Sequence, residues 1–355
     1  MSGGIAQLVA VGAQDAHLVG DPEVSFFRST YKRHTNFSQT VERQVIQGNL
    51  SQGGMSSVRF ERKGDLLGYV YLTSIASNAT ENLDWSTVID KVELLVGGQV
   101  IDEQDVFFTD NIAPDLLATG LAKSAAGSLY NGGSSKFYPL RFSFCENWQS
   151  ALPLVALQYH DVELRIKCRD GYTPVGTPKV YGNYIYLDTD ERKFFTDNEH
   201  EILFTQTQYQ PATNTDVDLD LTYFNHPVKS LHLVSGNATL NNWDDEYTFQ
   251  KSSLYINGVA LFEETSNVYH HNVVPEMHCT DLPDDVLDDL PTFTWPFCLT
   301  MSKMQPTGTL NFSRIDNAKL SLVGPTGGNQ LHRIYAVNYN ILRIKNGMAG
   351  VAFGN

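Results

Sequence analysis

The feature that most constrains this chain is that it is written twice. Residues 91–104 read KVELLVGGQVIDEQ, and residues 251–264 read KSSLYINGVALFEE. Lys91 aligns with Lys251, Leu94 with Leu254, Val96 with Ile256, Gly98 with Gly258, Ile101 with Leu261 and Glu103 with Glu263. Each copy is an alternating segment, a two-residue turn (Gly97-Gly98 or Asn257-Gly258) and a second segment. Turn pairs of this kind supply positive φ, which predicts a tight β-hairpin in each copy. Three further matches keep the same order: 64–75 with 225–236, Phe137-Tyr138-Pro139 with Thr294-Trp295-Pro296, and 160–167 with 315–323. Four collinear matches read as one structural unit duplicated.

Each unit carries about eight short strands punctuated by Gly, Pro and Asn, the pattern of a sandwich or jelly roll. Composition agrees: 17 Tyr and 19 Phe suit pleated, half-buried surfaces, and 27 Gly with 14 Pro supply turns. The expected fold class is therefore all-β, two tandem eight-stranded jelly-roll barrels with long inter-strand loops. A length of 355 residues is comfortable for two such cores. The polar stretch 206–216, with Pro211 to interrupt a strand, reads as the linker. That divides the chain into 1–208 (an N-terminal segment plus the first barrel) and 209–355 (the linker plus the second). Long connections are expected at 105–136, 169–184, 265–293 and 324–330, with local helical character over 113–126.

The net charge of −15 argues against broad phosphate-backbone binding, so no direct nucleic-acid contact is expected. The charge is unevenly spread. Residues 1–63 hold seven Lys/Arg against five Asp/Glu, and 303–355 hold six against one, so the acidic excess lies between them. Different faces can thus meet different partners. The spacing of Cys145, Cys168, Cys279 and Cys298 suggests no pairing, which points to free thiols. No basic segment followed by an apolar one opens the chain, and no apolar run is long enough to span a bilayer, so neither a secretory leader nor a membrane helix is expected.

Three stretches resemble a known family. GGIAQLVAVGAQDAHLVGDPEVSFFRSTYKRHTNFS (3–38), the hairpin IDKVELLVGGQVID (89–102) and YAVNYNILRIKNGMAGVAF (335–353) are similar to segments of the major capsid proteins of nucleocytoplasmic large DNA viruses, the group that includes chlorella viruses and iridoviruses. They fall at the start, middle and end of the chain. The resemblance implies a double jelly-roll protomer, three copies of which form a trimeric capsomer of pseudo-hexagonal outline in an icosahedral shell. It implies a late structural protein of the virion, made and assembled in the host cytoplasm. The implied partners are itself as a homotrimer, neighbouring capsomers, minor capsid proteins and the internal viral membrane. A minor capsid protein, or a lectin-like, receptor-binding surface protein, is the alternative; the tyrosines Tyr172, Tyr181, Tyr184 and Tyr186 would be its binding platform.

Candidate sites for chemistry are weak. The acidic run Asp281, Asp284, Asp285, Asp288 and Asp289 reads as a solvated loop, with calcium binding as the lesser option. His270, His271, His278, Cys279 and Cys298 match no zinc-ligand spacing. No phosphate loop, nucleophile elbow or zinc-protease motif appears, so no enzyme, metal or cofactor is expected. Five Asn-x-Ser/Thr sequons mark glycosylation candidates: Asn36, Asn49, Asn78, Asn237 and Asn311. Arg28, Lys32 and Arg33 near one end, with Arg343 and Lys345 near the other, are candidates for a basic face turned toward the capsid interior. Apolar residues at 5, 8, 9, 16 and 19 form a partial helical stripe.

Overall fold

The structure is a computed structural model that describes residues 9, 12–50, 52–75, 85–120, 137–171, 176–213, 216–236, 248–280, 292–326 and 331–354. Contacts divide the chain into a short N-terminal unit, Met1–Asn36, and one large unit, Phe37–Asn355. The short unit contains the helical turn Ala16–Val19, preceded by Asp15, whose carboxylate accepts the Gly12 N–H (2.6 Å). Its described apolar residues are exposed, Phe26, Phe27 and Tyr31 among them. Residues 5 and 8 of the expected stripe lie outside the described residues.

The large unit is two sandwiches of one topology. The first is built from β1 (Phe37–Gln44), β2 (Ile46–Gln47), β3 (Met55–Arg59), β4 (Leu66–Ile75), β5 (Ile89–Val96), β6 (Gln99–Asp105), β7 (Phe137–Pro139), β8 (Leu152–Pro153), β9 (Val162–Cys168) and β10 (Thr177–Leu187). The second is built from β11 (His200–Thr213), β12 (Asp218–Asp220), β13 (Pro227–Gly236), β14 (Lys251–Ile256), β15 (Val259–Ser266), β16 (Thr292–Pro296), β17 (Leu310–Asn311), β18 (Ala318–Val323), β19 (Leu331–Lys345) and β20 (Met348–Val351). The sheet orders are β1-β10-β4-β7 and β2-β3-β9-β5-β6 in the first, β11-β19-β13-β16 and β12-β18-β14-β15 in the second. Counted along each half, the first, eighth, third and sixth principal strands share one sheet; the second, seventh, fourth and fifth share the other. That interleaving is the jelly roll, and it occurs twice.

All four sequence matches fall on equivalent strands: β4 with β13, the β5–β6 hairpin with β14–β15, β7 with β16, and β9 with β18. Strand β9 (VELRIKC) shows why such segments fold this way: its residues alternate strictly between buried and half-buried. Tyr138 and Trp295, paired by the repeat, are both fully buried. Tyr138 packs against Trp85 (6.3 Å between ring centroids), and Trp295 stacks on Phe249 (6.3 Å) and meets His270 (4.5 Å). The two halves share a further device that the aligned residues do not show. After β6 and after β15 the chain enters a π-helical segment, Phe108–Leu117 and Tyr269–Val273 respectively.

Two expectations are corrected. Residues 206–213 are not linker; they belong to β11, which pairs with β19 continuously from His200↔Ile344 to Thr213↔Leu331, Pro211 included. Strand β11 lies at the edge of its sheet, and an edge strand tolerates the donor that proline lacks. The connection expected over 169–184 is also shorter, because β10 begins at Thr177.

Both hairpin turns have positive φ at each central residue: +60° and +81° at Gly97 and Gly98, +48° and +82° at Asn257 and Gly258. A methyl group at Gly98 would meet nothing, whereas one at Gly97 would run into the His160 ring. Gly98→Ala should therefore cost about 1 kcal/mol, for the backbone alone. Gly97→Ala should cost clearly more, as denaturant unfolding of the two variants will show.

The second core encloses polar groups. His232 bonds Ser230 Oγ (2.8 Å) and Thr294 Oγ1 (3.0 Å), while His270 donates from Nδ1 to the Thr294 carbonyl (2.9 Å). Burial, reinforced for His232 by Lys229, holds their pKa values down at about 3 and about 4. The unfolded chain takes up these protons below about pH 6.5, but the folded barrel does not until far lower pH. Their contribution is thus present above pH 6.5 and lost as pH falls. Across pH 7 to 4, wild type should lose roughly 2–3 kcal/mol more than His232→Gln in denaturant titrations.

Candidate assembly core: the seam between the barrels

The polar residues of β11 pair with the first barrel. Gln206 donates its Nε2 to the Ile101 carbonyl (2.7 Å), and the Thr207 N–H donates to Asp102 Oδ1 (2.8 Å). On the other side Gln206 Oε1 accepts from Asn340 Nδ2 (3.2 Å), and Gln208 Nε2 donates to Asn338 Oδ1 (2.9 Å). Asn338 and Asn340 are buried in β19. Glutamine and asparagine offer both a donor and an acceptor, so they close a buried ladder that apolar side chains would leave open.

At one end of the seam sits a charged cluster. The buried carboxylate of Asp105 forms an ion pair with Arg333 and accepts the Tyr335 hydroxyl (2.6 Å); its other oxygen accepts the Phe108 N–H (2.9 Å). The Arg333 guanidinium lies over the rings of Phe107 (4.6 Å) and Tyr209 (5.4 Å). Asp105 thereby ties β6 and the first π-helical segment to β19. Three residues earlier, Asp102 accepts N–H donors from Thr207 and Gln104 in place of a cation, and burial raises its pKa to about 7.

Apolar contacts cross the same seam. Phe204, Leu342, Ile344 and Ala349, all from the second half, are part of the first barrel's core. Phe108, Ile112 and Leu116 pack with Val234, Tyr335 and Val337. The turn between β19 and β20 docks on the first barrel, where the Tyr159 N–H donates to the Gly347 carbonyl (2.9 Å) and His160 Nδ1 lies 2.8 Å from the Ala349 carbonyl. The second barrel's last hairpin therefore completes the first barrel.

The sequence-derived candidates fall elsewhere. Arg28, Lys32 and Arg33 are exposed in the N-terminal unit. Arg343 is paired with Glu201 (2.7 Å) and Lys345 with Glu199 (2.6 Å), neighbours across the β11–β19 ladder, so their charge is locally offset. Asn36, Asn49 and Asn311 are exposed, and Asn311 Oδ1 accepts the Ser313 N–H (3.0 Å). Asn78, Asn237, Tyr172 and the acidic run 281–289 lie outside the described residues. Tyr181, Tyr184 and Tyr186 belong to β10 rather than to a loop platform, and Tyr184 is fully buried with its hydroxyl on Gln44 (3.1 Å). The residues that match no zinc-ligand spacing serve elsewhere: His271 and His278 donate to the Thr292 (2.9 Å) and Leu299 (3.0 Å) carbonyls, and none of the four cysteines is in a disulfide. No cluster of three or more His, Cys, Asp or Glu suited to a metal occurs among the described residues. The sequence carries no local sign of the Asp105–Arg333–Tyr335 cluster, because Asp105 lies more than two hundred residues from the other two.

Removing one partner of a buried ion pair leaves the other uncompensated. Asp105→Asn should cost about 3–5 kcal/mol of unfolding free energy. Glu201→Gln, which breaks the exposed pair with Arg343, should cost less than about 1 kcal/mol in the same assay.

Comparison with known proteins places this architecture. Residues 25–188 match the family model described as the major capsid protein N-terminus, and residues 191–350 match that of the large eukaryotic DNA virus major capsid protein. The major capsid protein of Pyramimonas orientalis virus is 33% identical over the full length of both chains, and that of Paramecium bursaria Chlorella virus 1 is 29% identical, again over both. Among solved structures, PBCV-1 VP54 superposes with a TM-score of 0.78 at 26% identity, over 93% of this chain and 100% of its own. The Faustovirus major capsid protein, at 11% identity and a TM-score of 0.69, shares the fold over 94% of each chain. A minor or lectin-like role is not what these relatives support. This chain belongs to the major capsid protein family of large eukaryotic DNA viruses, and it is a structural component of the virion shell rather than an enzyme.

Proposed function

We propose that the chain builds its shell as a homotrimer, a capsomer of pseudo-hexagonal outline made from six barrels. The observation that carries this is the repeated strand order: two barrels of one topology in one compact unit let three copies present six similar walls. The self-associating surface we assign is an aromatic row on the outer face of the β1-β10-β4-β7 sheet. Tyr71 stacks on Tyr181 (5.4 Å) and meets Phe137 edge-on (6.2 Å), and Tyr69 meets Trp148 (5.9 Å). Trp148 is 58% exposed, and exposed aromatic clusters of this kind are interface anchors.

The remaining partners follow from charge and position. Arg28, Lys32 and Arg33 are the basic face we assign to minor capsid proteins and the internal membrane; Arg343 and Lys345 add little, being matched by glutamates. Assembly in the host cytoplasm, late expression and glycans on the exposed Asn36, Asn49 or Asn311 belong to the same reading. We further propose that the two domains divide at the Thr189–Asp197 helix rather than at 208; the first two sheets end by Leu187 and the next begins at His200.

Light scattering on the purified protein should give three times the 39.6 kDa chain mass. The double variant Tyr69→Asp/Trp148→Asp should shift it to the monomer mass while circular dichroism stays unchanged. A wild type that remains monomeric when concentrated would refute the trimer; a trimeric double variant would refute only the assigned face.

A further inference from the structure

A small cavity of about 40 Å³ lies in the seam, walled by Gln104, Arg141, Ser143 and Glu146 of the first barrel and by Lys229 and Met301 of the second. Lys229 is only 4% exposed. Among the described residues its ammonium makes one hydrogen bond, to the Met301 carbonyl (2.7 Å), and it stands 5.8 Å from the Tyr339 ring centroid. An ammonium has three donors, so two are unspent. Arg141 has its own carboxylate in Glu146 (3.3 Å); among the described residues none lies within ion-pair distance of Lys229. Lys303, at the rim, adds another positive charge. A buried ammonium without a counter-charge is costly, and here the space beside it is large enough for more than a single water.

We propose that this cavity is a binding site for a small inorganic anion, which supplies the counter-charge of Lys229 and clamps the two barrels together. Of the wall residues, Ser143 offers a further donor, because its hydroxyl makes only a long contact to Met304 Sδ (3.8 Å), whereas both Gln104 Nε2 hydrogens are taken by Asp102 (2.9 Å) and the Arg141 carbonyl (3.0 Å). Burial lowers the Lys229 pKa to about 8, so the ammonium form still predominates at neutral pH and keeps its demand for an anion. The site does not depend on the trimer, because both barrels of one chain build it.

Two measurements on the purified capsid protein test this. Crystals soaked in sodium bromide should show an anomalous peak within hydrogen-bonding distance of Lys229 Nζ. Thermal unfolding at constant ionic strength, with chloride exchanged for gluconate (too large for the cavity), should show chloride raising the midpoint by about 2 °C at ten times its half-saturating concentration. Lys229→Met should abolish that response, and Lys303→Met should leave most of it. An empty or water-filled cavity in the bromide crystal, or equal chloride responses in wild type and Lys229→Met, would overturn the site. The bromide experiment uses wild-type protein and so decides the matter even if Lys229→Met fails to fold.

Discussion

Strand β19 and its hairpin partner β20 serve two hydrophobic cores at once. Ile334 and Ala336, near the start of β19, pack inside the second barrel, whereas Leu342 and Ile344, near its end, pack inside the first. The first sandwich is not complete without the second, because part of its core is supplied by the second half's residues Phe204, Leu342, Ile344 and Ala349. The apolar area involved could not be exposed without a large penalty, so the two barrels behave as one body. That coupling explains why the chain segments into one large unit at Phe37 and not into two at the repeat boundary.

A shell protein benefits from such coupling. If the barrels could swing relative to each other, two near-equivalent walls would not present a fixed angle to neighbours, and symmetric closure would fail. The seam uses several kinds of interaction to prevent this. Apolar packing supplies the bulk, while the Gln206–Asn338–Asn340 ladder and the Asp105–Arg333–Tyr335 cluster fix the register. Directional groups of this sort are satisfied in only one arrangement.

The titratable groups of the interior act in opposite directions. His232 and His270 stay neutral in the second core and favour the folded state above pH 6.5. Asp102, in the seam, has its pKa raised by burial, so its ionisation weakens the folded state as pH rises from about 4 through about 7. Acid therefore works against the second barrel's core, and the rise from about pH 4 to neutrality works against the seam.

Much of the fold was legible in the sequence because a duplicated β unit leaves local marks. The turns Gly97-Gly98 and Asn257-Gly258 declare their hairpins through backbone sterics alone, and the alternation in β9 follows from a period of two. The four repeat matches identified equivalent strands, and the motif at 335–353 marked the strand pair that the seam depends on. The seam itself was not legible. Gln206, Gln208 and Pro211 look like linker composition because local sequence cannot show that Asn338, Asn340 and Ile101 stand opposite them. Likewise Arg343 and Lys345 count as free positive charge until β11 brings Glu201 and Glu199 alongside. The sequence by itself determined the strand content, the hairpins, the doubling and the family. Only the tertiary structure decided which polar residues are buried, which charges are neutralised and where Lys229 meets a cavity, because those depend on contacts between residues far apart in the chain.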